Sequence, residues 1–140
     1  ISSKDYIFGY MVFNDVSARD IQMGDKQFTR GKSFDTFAPC GPWITSADEI
    51  TDVENLHMTT RINGEIRQNS STKNMFIKIP SIISKLSKVM TLEKGDVIAT
   101  GTPEGVVLNN PDIPFLKDGD KIDMEIEKLG KIQNSVKFVA

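Results

Sequence analysis

The sequence has few of the residues that several protein classes require. Its 140 residues include one cysteine, Cys40, and one histidine, His57, which excludes an internal disulfide framework and a cysteine-rich zinc module. It has no basic excess, because 17 Lys and Arg are set against 19 Asp and Glu for a formal charge of −2. That balance argues against a nucleic-acid partner. No apolar run of about 18 residues occurs, so no membrane partner is predicted either.

A start methionine is also missing, since the first residue is Ile1. No signal-peptide pattern follows it, and with a single cysteine the chain is expected to be cytoplasmic. The content of 39% hydrophobic and 26% charged residues is that of an ordinary folded chain. We therefore expect residues 1–140 to form a single domain that is truncated at its N-terminus.

The distribution of apolar residues predicts an α+β domain that is predominantly β. β-Branched, aromatic and alternating apolar residues are the basis for the strands. Strands are expected over residues 6–15, 43–45, 97–100, 121–129 and 131–139.

The clearest local signal is a β-hairpin over residues 56–68. Apolar or small side chains alternate with polar ones from Leu56 to Ile62, as in a strand with one buried face. Asn63 and Gly64 follow, and these residue types favour the two positive φ angles of a type I′ turn. The sequence therefore predicts a tight antiparallel pair here.

Two helices are predicted. The main one covers residues 80–90, because apolar residues recur there at helical spacing and Pro80 suits a first turn. A shorter helical segment is expected over residues 16–23, ending at Gly24. Its candidate N-caps are Asn14, Asp15 and Ser17.

The segment from Asp15 to Gln22 (DVSARDIQ) places carboxylate, guanidinium and amide groups at the end of an apolar strand. On a helical turn, Asp15, Arg19 and Gln22 would share one face. Asp15 suits a hard cation and Arg19 suits an anionic substrate. An N-capping aspartate followed by a weak surface ion pair explains the same pattern, so both interpretations remain open.

Three other features have plain structural explanations. The turn at Gly101 and Thr102 follows an apolar run and exposes groups that can hold a carboxylate, but an ordinary β-turn would look the same. His57 is predicted to be a solvated strand residue. Cys40, between a proline and a glycine, is predicted to be a small buried residue and not a nucleophile.

Four segments resemble, in order, the motifs of the fumarylacetoacetate hydrolase family. They are residues 9–22 (GYMVFNDVSARDIQ), 31–43 (GKSFDTFAPCGPW), 63–68 (NGEIRQ) and 79–106, which include GDVIATGTPEGV. The resemblance extends over residues 6–140. Within the family, the sequence of residues 34–37 is most similar to that of the 2-hydroxyhepta-2,4-diene-1,7-dioate isomerase and decarboxylase branch.

The resemblance implies a β-roll of mixed sheets and an enzyme that acts on 2-oxo or 2-hydroxy-dienoic acids. The implied reaction is C–C bond cleavage, as hydrolysis or decarboxylation, or keto–enol isomerisation. It passes through an enolate that a divalent cation stabilises. The implied cofactor is Mg²⁺, with Mn²⁺ or Ca²⁺ as alternatives, and the implied assembly is a homodimer or higher homo-oligomer.

The site residues follow from the matched motif positions. The resemblance implies that Asp15 is a metal ligand and that Lys32 lies beside metal and substrate, where its ammonium would neutralise an enolate or orient a water. Arg19, with Lys32, is then a catalytic residue that also binds substrate. Further substrate-binding positions are Gln22, Gly101 and Thr102.

The sequence departs from the family pattern in what it lacks before Asp15. Family members have a Glu-x-Glu pair upstream that supplies two more metal ligands, and a histidine-bearing segment near the N-terminus. Neither is present here, and residues 125–127 (EIE) are predicted to be a solvated strand face. The alternative function is therefore a non-catalytic fold or inactive fragment that binds a small oxo acid or mediates oligomerisation.

Overall fold

The structure, a computed structural model, describes residues 3–108, 110 and 112–138. Strands predominate over helices, which confirms the predicted α+β class. The elements are β1 (Gly9–Phe13), α1 (Arg19–Asp25), β2 (Cys40–Ser46), β3 (His57–Ile62), β4 (Glu65–Ser71), α2 (Ile79–Leu86), β5 (Lys121–Ile126) and β6 (Gly130–Ser135). Short 3₁₀ helices lie at Ser3–Tyr6, Arg30–Lys32, Val53–Asn55 and Thr72–Asn74.

The strands form two sheets. β1 and β2 make a two-stranded sheet, and the other four strands follow the order β4-β3-β5-β6. Each described pairing is antiparallel. The larger sheet is thus built from two hairpins whose first strands, β3 and β5, lie side by side.

The apolar core lies where β1 and β2 contact β5 and β6. Its most deeply buried members are Val12 and Leu56, which are 0% and 1% exposed. Ile50, Leu129 and Ile132 complete the buried cluster. Val12 sits one residue before the end of β1, so the core anchors the point from which the chain leaves the sheet.

The β3–β4 hairpin confirms the predicted turn. Asn63 and Gly64 have φ angles of 52° and 87°, the left-handed pair that a type I′ turn requires. The register then shifts after the second residue pair, so that Thr60 lies opposite Gln68. A regular two-residue hairpin would place Arg67 there. This bulge turns an amide side chain, and not a guanidinium, toward the buried face.

Several predicted boundaries need correction. Residues 97–100 form no strand, and Val97 is 57% exposed. A strand needs a hydrogen-bonding neighbour, and no described strand pairs with this segment. The main helix ends at Leu86 and not at residue 90. Val89 and Met90, the last predicted apolar positions, are 77% and 53% exposed and gain no burial from a further turn.

β2 is longer than the predicted 43–45, since it runs from Cys40 to Ser46, whereas β1, β5 and β6 are shorter than predicted. The first strand begins at Gly9 because Ser3–Tyr6 forms a 3₁₀ helix. β5 ends at Ile126, before Lys128 with φ of 65°. β6 ends at Ser135, and residue 139 of the predicted strand lies outside the described residues. No helix in the described ranges combines the length and apolarity needed to cross a membrane.

Candidate functional site

The chain leaves β1 at Asn14 and Asp15, where an exposed ion pair forms. The Asp15 carboxylate accepts a hydrogen bond from the Lys32 ammonium. Their side chains are 46% and 32% exposed, so solvent screens the pair and it adds little stability. Asn14 N donates to the Pro39 carbonyl oxygen at 2.9 Å, which fixes this strand end. A carboxylate and an ammonium are thus held together within reach of solvent.

Glycine at position 31 allows Lys32 to lie close to Asp15. The 3₁₀ helix Arg30–Lys32 packs against α1, and Ala18 N donates to the Gly31 carbonyl oxygen at 2.8 Å. A Cβ on Gly31 would lie 2.8 Å from Gln22 Cβ and 3.0 Å from the Ala18 oxygen. Any side chain here would push the two segments apart, so the glycine determines where Lys32 stands.

A buried amide holds the second cation of the site. Gln22 is 2% exposed, and its Oε1 accepts a hydrogen bond from Arg19 Nη1 at 2.5 Å. The bond joins residues three apart on α1, one helical turn. Arg19 is therefore oriented by a buried side chain, and the guanidinium has further donors that a ligand could use.

The ends of α1 differ from the prediction. The helix begins at Arg19 with Ala18 as N-cap, without a side-chain capping bond. Ser17 Oγ donates instead to the Asp15 carbonyl oxygen at 3.2 Å, and the Asp15 carboxylate is taken by the lysine. Gly24 lies inside the helix, which ends before Lys26 at φ of 55°. The predicted capping residues thus serve other contacts.

The loop between Lys32 and β2 has two residues in the left-handed region. Thr36 and Ala38 have φ angles of 69° and 59°, which are uncommon for residues with a Cβ and most of all for a β-branched one. Phe37 N donates to the Phe34 carbonyl oxygen at 3.0 Å, and their rings lie 5.4 Å apart. Strain of this kind is frequent beside functional sites.

Gly101 and Thr102 lie in a loop far along the chain, and β4 holds them. Gln68 Nε2 donates to Thr102 Oγ1 at 2.8 Å and to the Pro103 carbonyl oxygen at 3.1 Å. Gly101 has φ of 106°, a conformation that favours glycine. No hydrogen bond or ion pair of the described residues links this turn to Asp15 or Lys32.

The predicted site residues thus fall into two groups. The first consists of Asp15, Arg19, Gln22 and Lys32, and we call it the strand-end cluster. The second consists of Gly101 and Thr102, and we call it the loop turn. The motif positions did not assign Gln68 a role. The sequence carried no signal for it, because a regular two-residue hairpin would place Arg67 opposite Thr60.

His57 and Cys40 lie outside both groups. His57 is exposed on β3, and its Nε2 lies 2.7 Å from Asn69 Oδ1, as predicted. Cys40 is exposed, so the prediction of a buried cysteine is wrong. The inward position at the start of β2 belongs to its neighbour, Gly41, because successive residues of a strand face opposite sides.

The described residues alone do not form a divalent-metal site. Mg²⁺ and Ca²⁺ require six or more oxygen ligands, and no group of three acidic, histidine or cysteine side chains comes together in the described ranges. Asp15 is the one carboxylate of the strand-end cluster, and Lys32 occupies it. The donor set of the described residues therefore does not fit a complete ion site.

Comparison with known proteins agrees with this architecture. Residues 2–137 match the fumarylacetoacetate (FAA) hydrolase C-terminal family. The chain is 48% identical to oxaloacetate tautomerase YisK of Bacillus subtilis, over 94% of this chain and 44% of that protein.

Two solved structures extend the comparison. A fumarylacetoacetate hydrolase from Exiguobacterium antarcticum superposes with a TM-score of 0.92 at 48% identity, over 96% of this chain and 48% of that one. A 2-hydroxyhepta-2,4-diene-1,7-dioate isomerase from Mycobacterium marinum superposes at 0.85 with 40% identity, over 98% and 52%. The chain spans about half the length of these relatives. It belongs to the fumarylacetoacetate hydrolase family.

Proposed function

We propose that this chain is part of a divalent-metal-dependent enzyme that acts on small 2-oxo or 2-hydroxy-dienoic acids. The observation behind this proposal is the strand-end cluster, in which Lys32 and Arg19 present two cations within one short stretch of chain. Each has a single fixed partner, Asp15 or Gln22. Small dicarboxylic oxo acids carry two negative charges and a polarised ketone, which two oriented cations can bind.

The reaction we favour is keto–enol isomerisation. A proton leaves the carbon beside the ketone, the electron pair forms the C=C bond, and the ketone oxygen gains the charge and then a proton. Lys32 and Arg19 would stabilise the enolate oxygen by positive charge placed before the reaction. The relative named oxaloacetate tautomerase performs this class of reaction by its name, and hydrolysis or decarboxylation of related acids needs the same enolate.

Asp15 is the residue of this chain that we assign to the metal. A bound Mg²⁺, Mn²⁺ or Ca²⁺ would supply Lewis-acid charge to the ketone and carboxylate oxygens. Because Asp15 is paired with Lys32, the lysine ammonium would lie beside a metal held by this carboxylate and beside the substrate.

A second candidate function, an oligomerisation or oxo-acid-binding module, rests on the apolar surface. The described fold exposes 10,035 Å², against about 7,300 Å² for a compact monomer of its mass. Phe76, Phe8 and Trp43 are 100%, 79% and 59% exposed. We propose that a second copy of the chain covers part of this apolar surface. Residues 1–140 would then act as one domain of a homodimer.

The test is turnover by the protein that contains this chain, with oxaloacetate, acylpyruvates and dienedioates and with Mg²⁺ or Mn²⁺. Asp15→Asn and Lys32→Gln are expected to lower kcat/KM by about 10²–10³-fold, the loss typical of one charge-stabilising group. Asp20→Asn changes an exposed acid of α1 and should leave it within about twofold.

Two outcomes would contradict the assignment. Mg²⁺-dependent turnover that survives Asp15→Asn would remove Asp15 from the metal. Binding of oxalate by calorimetry without turnover of any of the acids would favour the binding module instead.

A further inference from the structure

We propose that Gln68 is a positioning residue that holds the loop turn and orients the Thr102 hydroxyl as a donor. The inference rests on the proposed function, in which Gly101 and Thr102 bind the carboxylate or oxo group of the substrate. Gln68 is 7% exposed and would act through Thr102 without touching substrate.

The amide of Gln68 makes three hydrogen bonds. Its Oε1 accepts from Thr60 Oγ1 at 2.8 Å, and its Nε2 donates to Thr102 Oγ1 and to the Pro103 carbonyl oxygen. A carbonyl oxygen can only accept, so Pro103 determines which end of the amide faces the loop. Thr60 is 6% exposed, so its bond with Gln68 is shielded from competing water, whereas the two bonds to the loop are part-buried.

The direction of these bonds sets the role of Thr102. A hydroxyl has one hydrogen to donate and lone pairs that accept. Since Gln68 Nε2 donates to Thr102 Oγ1, a lone pair is used and the hydrogen is left to point elsewhere. An exposed hydroxyl with its hydrogen free suits an anionic oxygen of the substrate. Gln68 thereby leaves the Thr102 hydrogen available to an acid at this turn.

The loop depends on β4 for its position. Residues 87–117 contain no helix or strand in their described part, so they have no ladder of their own. Arg67 Nη1 donates to the Pro114 carbonyl oxygen at 3.2 Å. Gly105 packs so close to β4 that a Cβ would overlap the Arg67 carbonyl oxygen. Gln68 is the one side chain of β4 that bonds the loop turn itself.

The bulge in β3–β4 is what aims Gln68. Without the register shift, Arg67 would lie opposite Thr60, and a guanidinium offers no acceptor for the threonine hydroxyl. The extra residue places an amide there, with an acceptor for one threonine and a donor for the other. The bulge therefore belongs to the site, as bulges near active sites often do.

The first experiment measures the motion of the loop turn without requiring activity. Amide ¹⁵N relaxation of the protein that contains this chain should give order parameters near 0.8 for residues 101, 102, 104 and 105, falling below about 0.6 in Gln68→Met. Gln133→Met is the control, because Gln133 is an exposed strand glutamine bonded to Asp123. The proposal is overturned if the loop turn stays rigid, or if β3 and β4 loosen equally.

The second experiment is kinetic. Gln68→Glu keeps the shape but turns the donor into an acceptor, so the Thr102 hydrogen is drawn to residue 68. We expect KM to rise about tenfold in Gln68→Met and further in Gln68→Glu, with kcat within about threefold. Equal KM values in wild type and both variants, or a loss confined to kcat, would overturn the role.

Two safeguards keep the outcomes separate. If Gln68→Met does not fold, Thr60→Val removes one of the three bonds with little change of volume, and it should loosen residues 101–105 in the same relaxation measurement. If the wild type turns over none of the acids, the proposed function fails. The relaxation measurement still decides whether Gln68 holds the loop turn.

Discussion

The strand-end cluster and the loop turn are built in different ways. The cluster lies within residues 15–32, and its contacts span three positions from Arg19 to Gln22 and 17 from Asp15 to Lys32. The loop turn is held by Gln68, 34 positions away. A locally built group stays together whenever its short segment folds, whereas a remotely held group exists only when the whole hairpin is in place. Changes that loosen tertiary packing should therefore damage the loop turn first.

Gly105→Ala should have the largest effect of the changes that separate the two groups. The residue has φ of 99°, and a Cβ would overlap the Arg67 carbonyl oxygen. Backbone strain and overlap together should cost roughly 2–5 kcal/mol in the free energy of unfolding, measured by urea titration. The loop turn should be displaced while the strand-end cluster keeps its geometry.

Gly95→Ala is the matched control for that change. Gly95 has φ of 96° with nothing within 4 Å of an added Cβ, so strain alone should cost about 1–2 kcal/mol. Equal losses at the two glycines would contradict the close approach of the loop to β4.

Gly31→Ala applies the same test to the strand-end cluster, with a smaller expected loss. The added Cβ would meet Gln22 Cβ at 2.8 Å and the Ala18 oxygen at 3.0 Å, and overpacking of this kind costs about 1–3 kcal/mol. Because the change moves Lys32, kcat should also fall. Such a loss would show that the contacts of the strand-end cluster depend on the absence of a side chain at position 31.

Its control is Gly24→Ala in α1, the helix against which Gly31 packs. Nothing lies within 4 Å of a Cβ at Gly24, and alanine in a helix is about 0.5–1 kcal/mol better than glycine. The two variants should therefore shift the urea midpoint in opposite directions, and shifts of the same sign would speak against the packing described for Gly31.

Asp120→Asn should have the smallest effect and a distinct pH signature. Hydrogen bonds from Asn63 Nδ2 and Lys117 N lower the pKa of Asp120 below its ordinary value, and they tie the end of the loop to the hairpin turn. A depressed folded-state pKa stabilises the fold above about pH 4, and that contribution disappears as pH falls through the folded value.

The melting temperature tests this contribution. Asp120→Asn should melt below wild type at pH 7, and the gap should shrink below about pH 4. Asp35→Asn, in the loop beside the strand-end cluster, should show no such gap. A deficit that stays constant from pH 7 to pH 3 would contradict the assigned cause.

The sequence correctly predicted the elements whose conformation depends on the preferences of a few neighbouring residues. Asn63 and Gly64 specify a turn by their own conformational preferences, and Pro80 lies in the first turn of α2 as expected. The apolar run at residues 97–100 is different, because a strand exists only by pairing, and no described strand pairs with it. Composition alone could not reveal that lack of a partner.

In the candidate site, too, some features could be predicted from the sequence and others could not. Its charged residues could be named from their order along the chain, and the spacing of Arg19 and Gln22 already implied that they meet on one helical turn. The pairing of Asp15 with Lys32 could not be inferred from spacing. It depends on Gly31, which allows the 3₁₀ helix to pack against α1. The periodicity of apolar residues in the sequence does not predict such a contact between backbones.

By itself, the sequence determined the family, the hairpin turn and the identity of the groups that bear charge, because these depend on residue type and short-range order. Only the tertiary structure decided that a bulge presents Gln68 to Thr60 and Thr102, that Cys40 faces outward, and that Asp15 is held by a lysine. The physical reason is common to all three. Register and packing choose among neighbours that are distant in sequence, and local preferences do not reach that far.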